Sequence, residues 1–366
     1  MSEVSGHVVG ESPLRIWGLP SALRLRRQLE RAGAGAGESF ADRVVSLRAD
    51  WVYDQAIVRG LVAAHEDCAL VADGGKCVGV SIRAERRDET ATTLAAYGVP
   101  PGVRAVSVAE VASGYDDKLR KRELPYLMPL TSETLPAVER RVFGGAYKGV
   151  TDAVTLYLWP APARAATRFC ARHRITPNQV TFASLLLVLA AMWLFWTGRY
   201  GLGLVAAWAM TFLDTVDGKL ARVTLQSTRF GDVFDHGIDL IHPPFWWWTW
   251  MVGLPAAGWQ LADPSPVLTA LVAGYVLQRL EEGVFIAWFR MDMHTWQRFD
   301  SRFRLITARR NPNLVILTVA AVAGRPDIGI VAVAVWTMLS LLIHTVRLTQ
   351  AAWVRRQRPL RSWLAP

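Results

Sequence analysis

Two acidic pairs set in apolar text decide how this chain folds. The first lies in Asp214-Thr215-Val216-Asp217-Gly218-Lys219-Leu220-Ala221-Arg222, the second in Gly231-Asp232-Val233-Phe234-Asp235-His236-Gly237-Ile238-Asp239. They fall in the second and third of six apolar stretches, near residues 179–197, 201–221, 232–253, 265–289, 312–325 and 327–346. Runs of about 20 apolar residues can cross a bilayer as helices, although the fifth stretch is short for that. Only helices or closed barrels satisfy their backbones in lipid, so the text predicts a polytopic helical membrane domain. An acid at the centre of such a helix costs about 2.5–3.5 kcal/mol on insertion scales, so four of them demand a reason.

Asp214 and Asp217 are spaced i, i+3, and Asp235 and Asp239 are spaced i, i+4, so each pair projects from one helical face. If the two helices adjoin, the four carboxylates converge near the cytoplasmic ends, because the connection 223–231 carries Arg229 and polar residues. Like charges share a pocket only when something neutralises them. Divalent cations do this, and an all-oxygen ligand set suits Mg²⁺ or Mn²⁺ better than Zn²⁺. Two ions bridged by carboxylates would clamp a diphosphate and polarise the phosphorus under attack. The other reading is a set of helix-end acids paired with Lys219, Arg222 and Arg229.

The pattern Asp214-x2-Asp217-Gly218-x2-Ala221-Arg222-x8-Gly231-x3-Asp235-x3-Asp239 resembles the signature of the CDP-alcohol phosphotransferase (CDP-alcohol phosphatidyltransferase) family, with eight residues fixed over 26 positions. The resemblance covers about residues 140–350 and takes in Ile175-Thr176-Pro177-Asn178-Gln179-Val180-Thr181, similar to the family's lead-in to its first span. It implies a six-helix membrane domain, usually a homodimer, in which a second alcohol displaces CMP from a CDP-linked alcohol with the help of two Mg²⁺ or Mn²⁺ ions. By position, it makes Asp214, Asp217 and Asp235 metal ligands. Asp239 would complete the metal site and act as general base on the incoming hydroxyl, a role that needs hydrogen-bond reach of that hydroxyl. Nucleotide contacts fall on Asp217, Gly218, Ala221, Arg222 and Gly231. The small Gly218 and Ala221 serve either close approach of a nucleotide or tight helix packing. Arg222 has two open roles, pairing with a phosphate or with an aspartate.

The donor expected on this reading is CDP-diacylglycerol, and the acceptor a polyol or an inositol-phosphate-like polyol phosphate, in phospholipid biosynthesis. In an alternative, a soluble CDP-alcohol passes its headgroup phosphate to a lipid or polyol-phosphate hydroxyl. A more remote one is a cation transporter using the intramembrane acids directly.

Charge distribution sets the orientation. The chain has 41 Lys and Arg against 31 Asp and Glu, a net charge of +10. The links 254–264 and 197–200 hold no basic residue and one, whereas 290–312 holds Arg290, Arg298, Arg302, Arg304, Arg309 and Arg310. The positive-inside rule then places both termini in the cytoplasm, and the absence of an apolar signal core in the first 25 residues agrees. A basic excess explained by topology argues against a nucleic-acid partner. The segment 303–311 is denser in Arg than topology needs, so Arg304, Arg309 and Arg310 are candidates for an acceptor phosphate or lipid headgroups, beside positive-inside bias alone. Of Glu281 and Glu282 in the fourth stretch, one is expected to face the active cavity and the other to pair with Arg279. The cluster Trp246-Trp247-Trp248-x-Trp250 reads as the far membrane interface. His236 and His242 read as packed or interfacial residues, and residues 155–173 as an interfacial amphipathic helix.

The remainder divides into a soluble α/β domain at 1–140, a linker with that interfacial helix at 141–177, the membrane domain at 178–350 and a basic tail at 351–366. Val44-Val45-Ser46-Leu47 and Cys68-Ala69-Leu70-Val71 read as buried strands. Asp73-Gly74-Gly75 marks a turn into a hairpin partner that resumes at Cys77. Residues 19–33 read as a surface helix and 31–38 as a flexible loop. Three cysteines, Cys68, Cys77 and Cys170, with no CxxC spacing, exclude a disulfide scaffold and a zinc module. Arg48-Ala49-Asp50-Trp51-Val52-Tyr53-Asp54 resembles the metal-binding strand end of a nucleotidyltransferase. The stretch 16–24 lacks the glycines of a phosphate-cradling loop, so the domain is expected to be a non-catalytic relative serving scaffolding, dimer contact or regulation.

Overall fold

The computed structural model describes residues 4–35 and 41–365. The chain forms two compact units, Met1–Tyr147 with Arg222–Leu225, and Lys148–Ala221 with Gln226–Pro366. The expected loop at 31–38 lies in part outside the described residues.

The first unit is built on a five-stranded sheet of β1 (Val4–Val9), β2 (Arg43–Arg48), β3 (Cys68–Val71), β4 (Cys77–Arg83) and β5 (Arg104–Val106), in the order β1-β2-β4-β3-β5. β1 and β2 run parallel, with Val4 opposite Arg43 and Val9 opposite Arg48. Helix α1 (Ser21–Ala32) makes their crossover and ends at Gly33, whose φ of +96° only glycine adopts without strain. Val44, Val45 and Leu47 are all buried, so both faces of β2 are covered. β3 and β4 form the expected antiparallel hairpin, turning through Gly74 and Gly75 at φ of +90° and +80°. Helix α1 is less of a surface element than its charges imply, because Arg24, Leu25, Gln28 and Leu29 are all buried.

Asp50 follows β2 but is taken up internally. Arg48 donates to it through Nε and Nη2, both at 2.9 Å, the Tyr97 hydroxyl donates as well, and the Arg48 guanidinium lies 3.5 Å over the Tyr97 ring. Burial would raise this carboxyl, but the bonds from Arg48 and Tyr97 outweigh it and hold it below the usual value. Asp54 caps helix α2 (Gln55–Val62), accepting from the Ala56 amide at 3.0 Å. In the stretch 16–24, Ile16, Trp17 and Leu19 are buried, and the Trp17 indole donates to the Glu139 carbonyl at 3.1 Å.

The second unit is helical. A short helix, α3 (Pro160–Arg172), leads in, and Tyr157, Leu158 and Phe169 are exposed in and just before it, as an amphipathic surface helix requires. Six longer helices follow where the six apolar stretches lie: α4 (Pro177–Trp196), α5 (Tyr200–Val223), α6 (Arg229–Val252), α7 (Ser265–Phe289), α8 (Arg310–Val322) and α9 (Pro326–Arg355). The last turn of α5 groups with the first unit. Of the six, α4 and α9 are long and apolar enough to cross a membrane by length and composition. Acids and bases dilute α5, α6 and α7, and α8 has only 13 residues.

The Trp cluster on α6 departs from the expectation of an interfacial belt. Trp246, Trp247 and Trp250 are buried in the bundle core with Phe195, Tyr200, Met210 and Leu271, and Trp248 is exposed. The buried indoles of Trp246 and Trp250 donate to the carbonyls of Val188 and Pro326, at 3.1 and 3.0 Å, so their polar ends are satisfied inside the protein. Gly253 permits the close approach behind them, since a Cβ there would stand 1.9 Å from the Phe195 carbonyl oxygen.

Candidate active site

The chain begins α4 with a capping box in which the Thr176 side chain and Gln179 satisfy each other's backbone amides, with Pro177 in the first turn. One turn later the Thr181 hydroxyl lies 2.7 Å from Oδ2 of Asp217 and 3.1 Å from the Pro177 carbonyl. This fixes Asp217 against α4. Its other oxygen, Oδ1, is buried and has no hydrogen-bond partner among the described residues. A buried acceptor left in that state costs about 1–3 kcal/mol.

Across from it, α6 starts at a cap in which Thr228 Oγ1 accepts from the Gly231 amide at 3.0 Å. The i, i+3 and i, i+4 spacings then do what the sequence expects of them for three of the four acids. Carboxylate oxygens of Asp214, Asp217 and Asp235 lie within 4.8 Å of one another. Asp239 stands one turn further along α6 with its side chain 40% exposed, and its Oδ1 accepts from Nη1 of Arg310. The Nη2 of the same guanidinium donates to Asp214 at 2.5 Å. Arg310 thus enters from the first turn of α8 and joins α5 to α6 through their acids. Arg310 bonds two of the four acids, Asp214 and Asp239, and not the Asp217 oxygen left without a partner. The oxygen-only donor set, the mutual distances of three acids and the orphaned Asp217 oxygen fit a hard divalent cation.

A second device fixes Asp239. Pro243 and Pro244 lie inside α6, so the carbonyls of Asp239 and Leu240 lose the amides that would bond them four residues on. The Tyr275 hydroxyl, from α7, sits 3.0 Å from the Leu240 carbonyl and 3.4 Å from that of Asp239. Tyr275→Phe should therefore lower the turnover number severalfold and destabilise the bundle by about 1–3 kcal/mol. Steady-state kinetics and thermal melting check this, and wild-type values in both would refute the role.

A pocket beside the three acids is lined by Pro177, Asn178, Thr181, Asp217, Gly218, Ala221, Gln226, Ser227, Thr228, Gly231 and Asp235. Gly218, Ala221 and Gly231 thus share one cavity with two of the acids. Gly231 leaves room for Asn178, because a Cβ there would come within 2.6 Å of Asn178 Oδ1. That oxygen ends a flexible side chain, so Gly231→Ala should fold normally but push Asn178 out of place. The expected result is a severalfold rise in KM for the nucleotide-linked substrate, and unchanged KM would count against a nucleotide in this pocket. Arg222 does not line it; its Nε donates to the Ala146 carbonyl at 2.8 Å.

The three arginines expected near an acceptor part company. Arg304 is buried and interacts with Asp152, Arg309 bonds Glu282, and Arg310 bonds Asp214 and Asp239. Glu282 also pairs with Arg279 at 3.0 Å, and Glu281 accepts from the Thr345 hydroxyl at 2.5 Å. His242 is buried, its Nδ1 2.6 Å from the Ile238 carbonyl, and His236 is exposed. Sequence reasoning missed Thr181 as the partner of Asp217, Tyr275 as the cover for the proline-freed carbonyls, and Arg310 as a partner of the acids. The two prolines four residues after Asp239 and Leu240 were the available signal for the second of these.

Three known proteins are similar in sequence to parts of this chain. Phosphatidylinositol phosphate synthase of Mycobacteroides abscessus is 33% identical over 116 residues, covering 30% of this chain and 52% of that protein. Bifunctional IPC transferase and DIPP synthase of Rubrobacter xylanophilus is 28% identical over 206 residues, 55% of this chain and 44% of that protein. Cholinephosphotransferase 1 of Xenopus laevis is 28% identical over 144 residues, 35% of this chain and 34% of that protein. The chain thus spans about half, or less, of the length of these relatives. The CDP-alcohol phosphatidyltransferase family model matches residues 174–362, just over half of the chain, a range that holds Asp214, Asp217, Asp235 and Asp239. The chain belongs to the CDP-alcohol phosphatidyltransferase family.

Proposed function

We propose that this protein transfers a phosphatidyl group from CDP-diacylglycerol to a hydroxyl of a polyol or an inositol-phosphate-like polyol phosphate, releasing CMP, in phospholipid biosynthesis. The observation that carries this reading is the gathering of Asp214, Asp217 and Asp235, with Asp239 one turn away and a pocket of small residues alongside. The names of the phosphatidylinositol phosphate synthase and the IPC transferase among its relatives favour this acceptor class.

In the reaction the acceptor oxygen attacks the phosphorus that bears the diacylglycerol, the bond from that phosphorus to the CMP oxygen breaks, and the acceptor proton passes to Asp239. Asp214, Asp217 and Asp235, completed by Asp239, would hold two Mg²⁺ or Mn²⁺ ions, which when bound neutralise the diphosphate and polarise its phosphorus. Asp239 suits the base because it is the most exposed of the acids with a resolved partner and lies outside the tight trio. Gly218, Ala221 and Gly231 would let the cytidine nucleotide approach the helices closely. Arg309 would be the arginine for a phosphate on the acceptor, since it is half-buried and precedes Arg310, which bonds Asp239, in the chain.

The apolar exteriors of α4 and α9, with Phe182, Leu186, Leu189, Trp193, Val335 and Leu342 exposed, support a cell-membrane location. We read all six helices as spans, with both termini cytoplasmic and the protein a homodimer. The front unit is a non-catalytic relative of nucleotidyltransferases: Arg48 and Tyr97 take up Asp50, and Trp17 packs where a phosphate loop would need open glycines.

Labelled CDP-diacylglycerol offered with inositol, with inositol phosphate, and in parallel CDP-choline with diacylglycerol, tests the donor and acceptor classes. The reading expects CMP and a labelled phosphatidyl product from the first donor. CMP from CDP-choline alone would replace it with headgroup transfer.

A further inference from the structure

Glu282 stands at a junction that the four acids do not explain. It lies on α7, one and two turns beyond Arg279 and Tyr275, and its Oε1 accepts from Arg279 Nη2 at 3.0 Å and from Arg309 Nη2. The His294 ring nitrogen Nε2 lies 3.3 Å from the same oxygen. These contacts join the Asp239 turn from both sides: Tyr275 touches its carbonyls and its ring carries the Arg279 guanidinium at 5.5 Å, while Arg310, next to Arg309, bonds its carboxylate.

Oxygen and nitrogen atoms of Glu282, His294 and His344 also lie within 4.8 Å of one another, the spacing of a small metal site. Electrostatics speaks against a cation there, because two guanidiniums already hold the carboxylate and would repel it. Glu282 is thus shared between two guanidiniums, one from its own helix and one from the segment before α8. The Nε atoms of Arg279 and Arg309 are buried without hydrogen-bond partners among the described residues, so neither guanidinium is saturated by Glu282.

We propose that Glu282 is a positioning residue for the acceptor side of the site. It clamps Arg279 and Arg309 as a pair, and so sets the height and angle at which Arg309 meets a phosphate monoester on the acceptor, beside the base. This rests on the reading above that Arg309 faces that phosphate. A carboxylate suits the task because it draws two cations together that would otherwise repel, whereas an amide supplies no charge to do so.

The test uses the full-length protein in detergent, with CDP-diacylglycerol as donor and inositol phosphate as acceptor. Glu282→Gln is expected to raise KM for inositol phosphate tenfold or more and to leave KM for CDP-diacylglycerol within twofold. Glu282→Asp, which keeps the charge, recovers most of that loss and also serves if the Gln variant does not fold. Because Glu282 acts through Arg309, the Glu282→Gln/Arg309→Gln double variant should bind acceptor no worse than Arg309→Gln alone. Unchanged acceptor KM, equal shifts in both substrates or additive losses in the double variant would overturn the inference while leaving the transfer reaction standing. If wild-type protein releases no CMP with inositol phosphate, the proposed reaction falls and this role of Glu282 with it.

Discussion

Replacing Asp239 by Asn is expected to lower the turnover number by about 10²–10⁴-fold, the usual contribution of a positioned general base. The amide keeps the shape of the side chain and its contact with Arg310 but accepts no proton at the working pH. Asp214, Asp217 and Asp235 form the close trio without Asp239, so divalent ions and CDP-diacylglycerol should still bind, the ions less tightly for the loss of one ligand charge. Rapid-quench assays of CMP formation, run beside equilibrium binding of the donor, separate the two effects. Turnover close to wild type would remove Asp239 from the role of base. Loss of donor binding in step with activity would make it chiefly a ligand.

Arg310→Met should give the largest effect on stability. Its guanidinium spans Asp214 and Asp239, and the Arg310 and Asp214 side chains are only 15% and 18% exposed. Removing one partner of a buried ion pair costs about 3–5 kcal/mol, because the remaining charge has no compensation. The exposure of Asp239 places the expected loss at the lower end of that range. Ions that bind only the folded state offset such a loss by mass action, so Mg²⁺ or Mn²⁺ should raise the melting temperature of the variant more than that of the wild type. Melting curves with chelator and with added ion test this. A variant that melts like the wild type in chelator would mean that Arg310 does not hold the acids together.

These two expectations draw on different kinds of sequence legibility. The acids are readable because their spacing is local: i, i+3 and i, i+4 carry two side chains to one helical face whatever else the chain does, and three of the four meet accordingly. The six helices are readable because each apolar stretch exceeds or approaches the length of a stable helix, and their ends fall within a few residues of the stretches except at the last, which continues to Arg355. The hairpin of the front unit is readable from Asp73-Gly74-Gly75.

Arg310 is of another kind. It lies 96 residues from Asp214 and 71 from Asp239, and nothing in its own neighbourhood distinguishes an arginine that turns to the acids from one that marks the cytoplasmic face. Thr181 is hidden for the same reason, being 36 residues from Asp217 on a different helix. The Trp cluster was legible as a cluster but not as a direction. Hydropathy does not separate an indole facing lipid from one facing a neighbouring helix, and three of these four face inward. Asp50 looked like a ligand because of where it sits after a strand; only the folded arrangement brings Tyr97 to it, 47 residues on.

The measurement that bears most directly on the central claim is CMP release from CDP-diacylglycerol by the purified full-length protein, with inositol phosphate as acceptor, before and after chelation of divalent ions. The account predicts CMP and labelled phosphatidyl product in equal amounts, loss of both in chelator, and recovery of both on adding Mg²⁺ or Mn²⁺. CMP release that persists undiminished in chelator, or no release with ions and acceptor present, would contradict it.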